Sequence, residues 1–323
     1  MQLLRKFILI LIVLWMILLL SGKFFRFALQ HNPNLKTDYI TSTSMKPDIL
    51  FLGPCEAAWV MDPAKIDPIT GLVSYNLAET HSDFADNYLH LYLYLKHNPP
   101  PHYLFLYITG ESVDSRYNVF NTYQFTNFLS DSTVASVVRE NDPAYYRWAK
   151  FPFMQYGYYN SKTVFQALEG FTDFLLDHRV PYKGLNGFIQ PDIPKWRDHV
   201  TDFMRLYPRG TRFKWDPRRK KYLVKIIRLA LKNHINIYLY ESPVWNPSKT
   251  YILNRKEVMA QIRQLGAKYG IPYLVFDTLA MSNDRNNFVT NLYTSHAGGI
   301  IFDSVFAEYF NRYIKNSPYP GML

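Results

Sequence analysis

Two short blocks near opposite ends of the chain carry residues that could do nucleophilic chemistry. Cys55 follows an apolar run and a glycine in the stretch Leu52-Gly53-Pro54-Cys55-Glu56. His296 stands just before a helix-like pattern, in the stretch Thr294-Ser295-His296-Ala297-Gly298. A thiol attacks in its thiolate form, and a neighbouring imidazole can take its proton. The two blocks therefore predict Cys55 as a nucleophile and His296 as its general base.

The residues around Cys55 predict a tight turn. Gly53 would permit that turn, and the backbone N–H of Cys55 would contribute to an oxyanion hole. A base also needs a group that orients it, and Glu56, Glu111 and Asp277 are candidates between which no spacing decides. The alternative interpretation is that Cys55 is a small buried residue that fills the turn without a catalytic role.

Five short apolar runs alternate with helical patterns and would position these blocks. Runs of this kind fit strands that are buried on both faces, and the alternation predicts an α/β fold with a parallel sheet between two layers of helices. Asp216 and Pro217 are suited to begin one helix, and Gly270 to end another. The predicted strands are Asp48–Gly53, Val73–Ala78, Tyr103–Ile108, Ile235–Glu241 and Tyr273–Thr278, and the predicted helices cover 82–97, 217–233, 251–269 and 297–315.

More than 120 residues separate the third and fourth predicted strands, which is too long for one crossover. We expect an aromatic-rich insertion over 110–215 within a domain that covers 47–318. The run Phe151–Tyr159 favours core packing, and a surface that stacks on sugars or docks a partner is the alternative.

The N-terminus predicts a membrane anchor over 1–30. Arg5 and Lys6 precede the uncharged run Phe7–Gly22, and no small-x-small cleavage pattern follows it. A cleavable signal peptide is the alternative. The basic residues weakly favour an N-in, C-out orientation. A polar linker over 31–46 would then lead to an extracytoplasmic domain.

Composition narrows the class of protein further. One cysteine excludes an internal disulfide framework, and the only Asn-x-Ser stretch is blocked by Pro247, so a bacterial inner-membrane protein is favoured over a eukaryotic secreted one. Asp83, Asp86 and His90 have helical spacing that favours a polar helix face over a metal site. The sequence indicates neither a metal nor another cofactor.

The net charge of +10 is concentrated in one window, because residues 200–232 hold eleven Lys and Arg against two acids. A solvated helix face explains the later cations, whereas the earlier ones lie in a predicted loop. We expect an anionic partner such as lipid headgroups, an acidic polysaccharide or a phosphate-bearing polymer, and no nucleic acid outside the cytoplasm. The patch comprises Arg205, Arg209, Arg212, Lys214, Arg218 and Arg219.

The two blocks, in this order and place, resemble the SGNH/GDSL hydrolase superfamily, in particular its membrane-anchored DltD-like and alginate-O-acetylation-like branch. Weaker echoes are Val73–Leu77, Lys183-Gly184 with Gly187-Phe188, and Glu241–Val244. The resemblance spans about 46–315 and implies a flavodoxin-like domain. It also implies acyl transfer to, or acyl removal from, an envelope polysaccharide or polymer, beside a membrane-bound O-acyltransferase.

The chain departs from the family pattern at the positions that carry the chemistry. Cys55 stands in place of the family's serine, and Tyr293 stands three residues before His296, where the family has Asp. In the family, a second block usually supplies a glycine of the oxyanion hole, and a third block carries a Gly-x-Asn-Asp stretch. The corresponding blocks of this chain contain neither feature. An inactive scaffold or binding subunit of a polysaccharide-modification complex is therefore the alternative function. A glycosyltransferase has little support, because no Asp-x-Asp motif is present.

Overall fold

The chain divides into two units. The computed structural model describes residues 2–32, 35–114, 116, 120–151, 153–157, 160–176, 186–189 and 205–315. The anchor unit joins residues 1–44 to 120–181, and the sheet unit joins residues 45–119 to 182–323. The sequence-based boundaries differ from this division, because they place 120–181 in one domain with the sheet.

Helices and strands alternate through most of the described residues. The helices are α1 (Gln2–Gln30), α2 (Lys36–Ser42), α3 (Cys55–Ala58), α4 (Pro63–Thr70), α5 (Phe84–His97), α6 (Gly110–Val113), α7 (Ser132–Asn141), α8 (Pro143–Trp148), α9 (Met154–Gly157), α10 (Asn160–Leu175), α11 (Pro217–Lys232), α12 (Arg255–Tyr269) and α13 (His296–Tyr313). The strands are β1 (Ile49–Leu52), β2 (Ser74–Asn76), β3 (Tyr103–Tyr107), β4 (Asn236–Glu241) and β5 (Tyr273–Val275). Short 3₁₀ segments cover Thr122–Phe128, Asn246–Tyr251, Ala280–Asn283 and Arg285–Asn287.

The five strands form one parallel sheet in the order β2-β1-β3-β4-β5. The predicted mixed α/β fold with a parallel sheet is confirmed, and each strand lies within a predicted apolar run. Phe51 of β1 pairs with Phe105 of β3, which pairs with Tyr238 of β4, so these three rings share one face. Strands β1 and β3 are almost wholly buried because both faces of the sheet are covered.

Helices cover the two faces of the sheet. Phe306 of α13 packs edge-on against Phe51 and Phe105 on one face. The opposite face of β3 and β4 carries leucines and an isoleucine that are also buried, and α11 packs there against β4 and α5. Side chains on both faces of the sheet are therefore buried.

Local sequence signals set the ends of several helices. The Asp216 carboxylate accepts from the first N–H groups of α11, which begins at Pro217, and Gly270 ends α12 in a left-handed conformation. Both signals are confirmed. Asp83 and Asp86 form a capping box at the start of α5, which gives the acidic residues of that pattern a structural role.

Gly53 makes the turn that leads from β1 into α3. Its φ is +156°, and a Cβ at this position would lie 2.6 Å from Cβ of Tyr107 and 2.7 Å from Cβ of Ala57. Only glycine allows β1, β3 and α3 to approach so closely here. The glycine thus fixes where the residues after β1 emerge from the sheet.

The anchor unit is built around the C-terminal end of α1. Helix α10 crosses α1 where Gly170 meets Ala28, and a Cβ on Gly170 would lie 2.0 Å from the Ala28 carbonyl oxygen. This close crossing explains why 120–181 groups with the N-terminus. The shared core consists of Ala28, Leu29, Leu35, Tyr123, Tyr156 and Ala167, flanked by Phe25, Phe153 and Phe171.

Helix α1 is long and apolar enough to span a membrane and could be a single-pass anchor or a signal sequence. The stretch that the sequence analysis treats as a linker, 31–46, contains α2, whose residues Thr37, Asp38 and Ile40 are buried. Asp38 accepts a 2.6 Å hydrogen bond from Asn127. The segment is therefore part of the anchor unit's core.

The region expected to be an insertion contributes to both units. Residues 120–176 lie in the anchor unit, whereas Asn186 and Ile189 bond to the backbone of the sheet unit at Asn76 and Ala58. In the aromatic run, Tyr156 is buried and Phe151 is exposed. Lys183 and Gly184, with Pro152, Tyr158 and Tyr159 of the aromatic run, lie outside the described residues.

Candidate functional site

A pocket of about 210 Å³ opens where β1 and β3 end. Strand β1 lies between β2 and β3, so the connections after β1 and β3 diverge at this point, which is where open parallel sheets bind ligands. We name it the switch pocket. Its lining residues are Pro54, Cys55, Glu56, His81, Ser82, Asp83, Phe84, Asn87, Glu111, Ser112, Arg219 and Tyr293.

Cys55 is the first residue of α3 and faces the switch pocket. The backbone N–H of His81 lies 3.4 Å from its Sγ, and the Tyr293 hydroxyl also hydrogen-bonds the sulfur. Burial and the nearby charge of Glu56 nevertheless raise the pKa of the Cys55 thiol to about 11. A thiol with this pKa stays protonated at neutral pH, so the reactive thiolate is scarce.

Two carboxyl groups in the switch pocket have raised pKa values. Burial raises the pKa of Glu56 to about 7. Burial, together with the charge of Glu56, raises the pKa of Glu111 to about 8, although Arg116 acts in the opposite direction. At neutral pH each group can therefore donate as well as accept a proton.

Tyr293 interacts with both the Cys55 thiol and the charge of Glu56. The charge of Glu56 and burial raise the pKa of Tyr293 well above its ordinary value, so its hydroxyl remains a donor. Its ring packs against Trp59 with centroids 4.8 Å apart. Tyr293 stands three residues before His296 in the sequence, and its hydroxyl contacts Cys55.

Arg219 supplies a buried positive charge to the switch pocket. Its side chain is only 3% exposed, and its Nη1 donates a 2.8 Å hydrogen bond to the Ser112 carbonyl. Its Nε and Nη2 atoms are buried without a hydrogen-bond partner in the part of the chain that the structure describes. Such orphaned donors are rare in folded proteins and call for water or a ligand.

His296 lies elsewhere in the sheet unit. It is an exposed residue at the start of α13 and lines a second, small cavity with Trp59, Asp62 and Asp303. We name this the His296 cavity. The structure thus places the predicted nucleophile and the predicted base on two different cavities, and Cys55 has Tyr293 and the His81 backbone as its hydrogen-bond partners.

The three candidate orienting carboxyls divide between two places. Glu56 and Glu111 line the switch pocket, whereas Asp277 belongs to an ion network beyond β4 and β5. There Arg255 Nη2 lies 2.7 Å from both Glu241 Oε1 and Asp277 Oδ2. Lys249 and the Tyr273 hydroxyl complete the network.

The residues of the predicted anionic-partner patch differ in their exposure. Arg205, Arg209, Arg212 and Lys214 are exposed, and Arg212 makes only a loose 3.8 Å contact with Glu257. Arg218 is half-buried. Arg219 is buried in the switch pocket instead of lying on the surface.

Sequence reasoning missed Tyr293 and the pocket role of Arg219. The second could have been found from spacing, because Arg219 precedes Leu223, Ile226 and Ala230 by four, seven and eleven residues, and so shares their apolar helix face. A basic residue on an apolar stripe indicates a buried charge. No comparable spacing brings Tyr293 to Cys55, since 238 positions separate them along the chain.

Comparison with known proteins adds no further assignment. No model of a known protein family matches the chain, and no curated protein sequence is similar to it at a significant level.

Proposed function

We propose that this protein is a membrane-anchored, extracytoplasmic binding subunit that acts in the modification of a cell-envelope polysaccharide or polymer. Its sheet unit would be an SGNH-like domain that has kept the ligand position and lost the hydrolytic site. The strand order 2-1-3-4-5, which is that of flavodoxin-like folds, supports this assignment. So does the emergence of Gly53 and Cys55 at the end of the first strand.

The observation that carries the proposal is the state of Cys55. Its thiol has a pKa of about 11, and His296 lines a different cavity. A Cys–His nucleophile requires the opposite arrangement, in which the imidazole lowers the thiol pKa. The switch pocket contains a protonated thiol, two carboxyls that can be protonated and a buried guanidinium. These groups are better suited to bind a ligand than to react with it as nucleophiles.

The chemistry of the pocket favours a ligand with hydroxyl groups and negative charge. Glu56 and Glu111 can exchange hydrogen bonds with hydroxyls in either direction, and Arg219 favours an anion electrostatically. An acidic sugar of an envelope polymer has both features. The exposed cations Arg205, Arg209 and Lys214 would attract the same kind of polymer at longer range.

The packing of α1 supports a permanent anchor. Ala28 and Leu29 near its C-terminal end are fully buried in the core of the anchor unit. Removal of the helix as a signal peptide would expose this core. We therefore assign the protein to the bacterial inner membrane as a single-pass protein with its C-terminal part outside the cytoplasm. A membrane-bound O-acyltransferase is the partner that the family resemblance implies.

A second candidate function is acyl transfer through Cys55, and the pKa of Glu56 favours it. A carboxyl with a pKa of about 7 beside the thiol could accept its proton. The sulfur would then bond to the acyl carbon, and the departing alcohol would take the proton from Glu56. A hydroxyl of the polymer would finally receive the acyl group from the thioester and release the thiol.

One experiment separates the two candidates. The full chain in detergent micelles is assayed for hydrolysis of an activated acetyl ester, and Cys55 is examined by mass spectrometry for an acyl adduct. Wild type is compared with Cys55→Ser, Cys55→Ala and His296→Ala. We expect neither turnover nor adduct in wild type. Turnover that is lost in Cys55→Ala would establish acyl transfer instead.

A binding assay on the same proteins tests the positive side of the proposal. An acidic oligosaccharide, oligogalacturonate, is compared with neutral maltotriose by the shift in melting temperature. We expect stabilisation by the acidic sugar only, and loss of the shift in Arg219→Gln. Equal shifts with both sugars, or none with either, would contradict the proposed ligand chemistry.

A further inference from the structure

The anchor unit has a cavity of about 330 Å³ at the point where α1 leaves its apolar stretch. One wall is a single face of α1, since Leu19, Lys23 and Arg26 follow at spacings of four and three. The other wall comes from the segment after α8, including Lys150 and Phe151. Apolar and cationic side chains thus line one cavity in a fixed order along the helix.

The order of these residues matches the order of groups in a phospholipid. With a rise of about 1.5 Å per residue, Lys23 lies about 6 Å beyond Leu19, and Arg26 lies about 10 Å beyond it. The apolar run Phe7–Gly22 would fill about 24 Å of hydrocarbon, so both cations would stand at the level of the headgroups. Among the described residues neither Lys23 nor Arg26 forms an ion pair.

We propose that this cavity binds one anionic phospholipid, whose phosphate lies among Lys23, Arg26 and Lys150 and whose acyl chain follows Leu18 and Leu19. Among the described residues none of these three cations forms an ion pair, although Arg26 acts electrostatically on the buried Asp38, and their positive charge would give the site its preference for a negatively charged headgroup. The exposed rings of Trp148 and Phe151 lie on the same segment as Lys150. Tryptophan is typical of the boundary between lipid and water.

Exposed apolar residues of α10 support the same placement in a bilayer surface. This helix packs on α1 through Gly170, Phe171 and Phe174. Val164, Leu168 and Leu175 lie at spacings of seven, three and four from Phe171, so they continue its apolar stripe beyond the contact with α1, and they are exposed, as is Phe165. An apolar stripe that extends beyond its packing partner is suited to contact lipid.

The test uses the full chain in dodecyl maltoside micelles that contain equimolar phosphatidylglycerol and phosphatidylcholine. Native mass spectrometry counts the lipids that stay bound. We expect one phosphatidylglycerol per chain, retained at least tenfold more often than phosphatidylcholine. The triple variant Lys23→Gln, Arg26→Gln, Lys150→Gln should lose this preference.

A matched control removes the same charge elsewhere. The triple variant Arg228→Gln, Lys232→Gln, Lys256→Gln replaces one arginine and two lysines that are exposed on α11 and α12. It should retain phosphatidylglycerol like wild type, and circular dichroism should show both variants folded. Equal retention of the two lipids by wild type, undiminished binding by the first variant, or equal loss in the control would each overturn the proposal. None of these outcomes depends on the ligand of the switch pocket.

Discussion

The switch pocket and the ion network both lie beyond the carboxyl ends of strands in one sheet. They differ in whether their buried charged groups are paired. In the ion network, Arg255 contacts two carboxylates at 2.7 Å, and the Tyr273 hydroxyl donates to Glu241. In the switch pocket, two nitrogens of Arg219 have no hydrogen-bond partner among the described residues. The difference separates a region whose buried charges are paired from one whose buried guanidinium keeps donors that a ligand could use.

The same contrast appears in how carboxyl groups titrate. Glu241 is as buried as Glu56, but Arg255 and the Tyr273 hydroxyl offset part of the burial effect on its pKa. Among the described residues, only a hydrogen bond to its own backbone lowers the pKa of Glu56, which burial raises to about 7. Strongly raised pKa values cluster at functional sites, although buried carboxyls elsewhere in this chain, such as Asp38 and Asp303, also have them. The switch pocket is therefore the place where function is to be tested.

The largest expected effect comes from removing the central cation of the ion network. Arg255→Met leaves Glu241 without its bonded cation and Asp277 with Lys249 alone, which should lower the free energy of unfolding by about 3–5 kcal/mol. Arg219→Met removes a guanidinium that is bonded only to backbone carbonyls, and should cost about 1–2 kcal/mol. Urea unfolding followed by circular dichroism measures both. An equal cost would show that Arg219 is as structural as Arg255.

The next effect is a pH dependence that Glu56 creates. Its pKa is about 7 in the folded chain and 4.5 in ordinary surroundings. Between these values the folded state binds more protons than the unfolded state, so stability falls as pH rises from about 4.5 to about 7. Glu56→Gln should remove this loss and raise the free energy of unfolding at pH 8 by roughly 1–3 kcal/mol, with little change at pH 4.5.

The control for this experiment is Glu257→Gln, because Glu257 is exposed and only loosely paired with Arg212. Its unfolding free energy should follow that of wild type at every pH. If Glu56→Gln shows the same pH profile as wild type, Glu56 is not held protonated by burial. Glu111→Gln should act in the same direction, because the pKa of Glu111 is also raised, to about 8.

The sheet and four helices of its unit, α5, α11, α12 and α13, could be predicted from the sequence because their signals are local. Apolar runs such as Ile49–Leu52 and Tyr103–Tyr107 form single strands. Asp216 begins one helix and Gly270 ends another through contacts with residues a few positions away. Local spacing could not predict the division into units. That division depends on the crossing of Gly170 over Ala28, which are 142 positions apart.

The candidate site was predictable only in part, for a related reason. The place of Cys55 after β1 follows from a strand and a glycine, and the family resemblance directed attention to His296. Which groups actually meet there depends on loops. The loop before α13 brings Tyr293 to the thiol and leaves His296 on the other cavity. Side chains from distant loops cannot be paired by sequence spacing.

The smallest expected effects concern the reactivity of Cys55, and they test the separation from His296 directly. Cys55 is the only cysteine, so alkylation by iodoacetamide reports on it alone. With a pKa of about 11, its thiolate fraction at pH 7.5 should be about 100-fold smaller than that of a thiol with a pKa of 9.0. Its alkylation should be about tenfold slower, because a more basic thiolate is a better nucleophile. The rate should keep rising with pH up to about 11.

Three variants test the separate causes of the raised pKa of Cys55. Glu56→Gln removes a neighbouring negative charge, lowers the pKa of Cys55 and should speed alkylation several-fold. Tyr293→Phe removes a hydrogen bond that stabilises the thiolate and should slow alkylation by a similar factor. His296→Ala should leave the rate within twofold of wild type, because His296 lines another cavity. A marked slowing in His296→Ala would show that His296 activates the thiol. It would then favour the catalytic interpretation of the switch pocket.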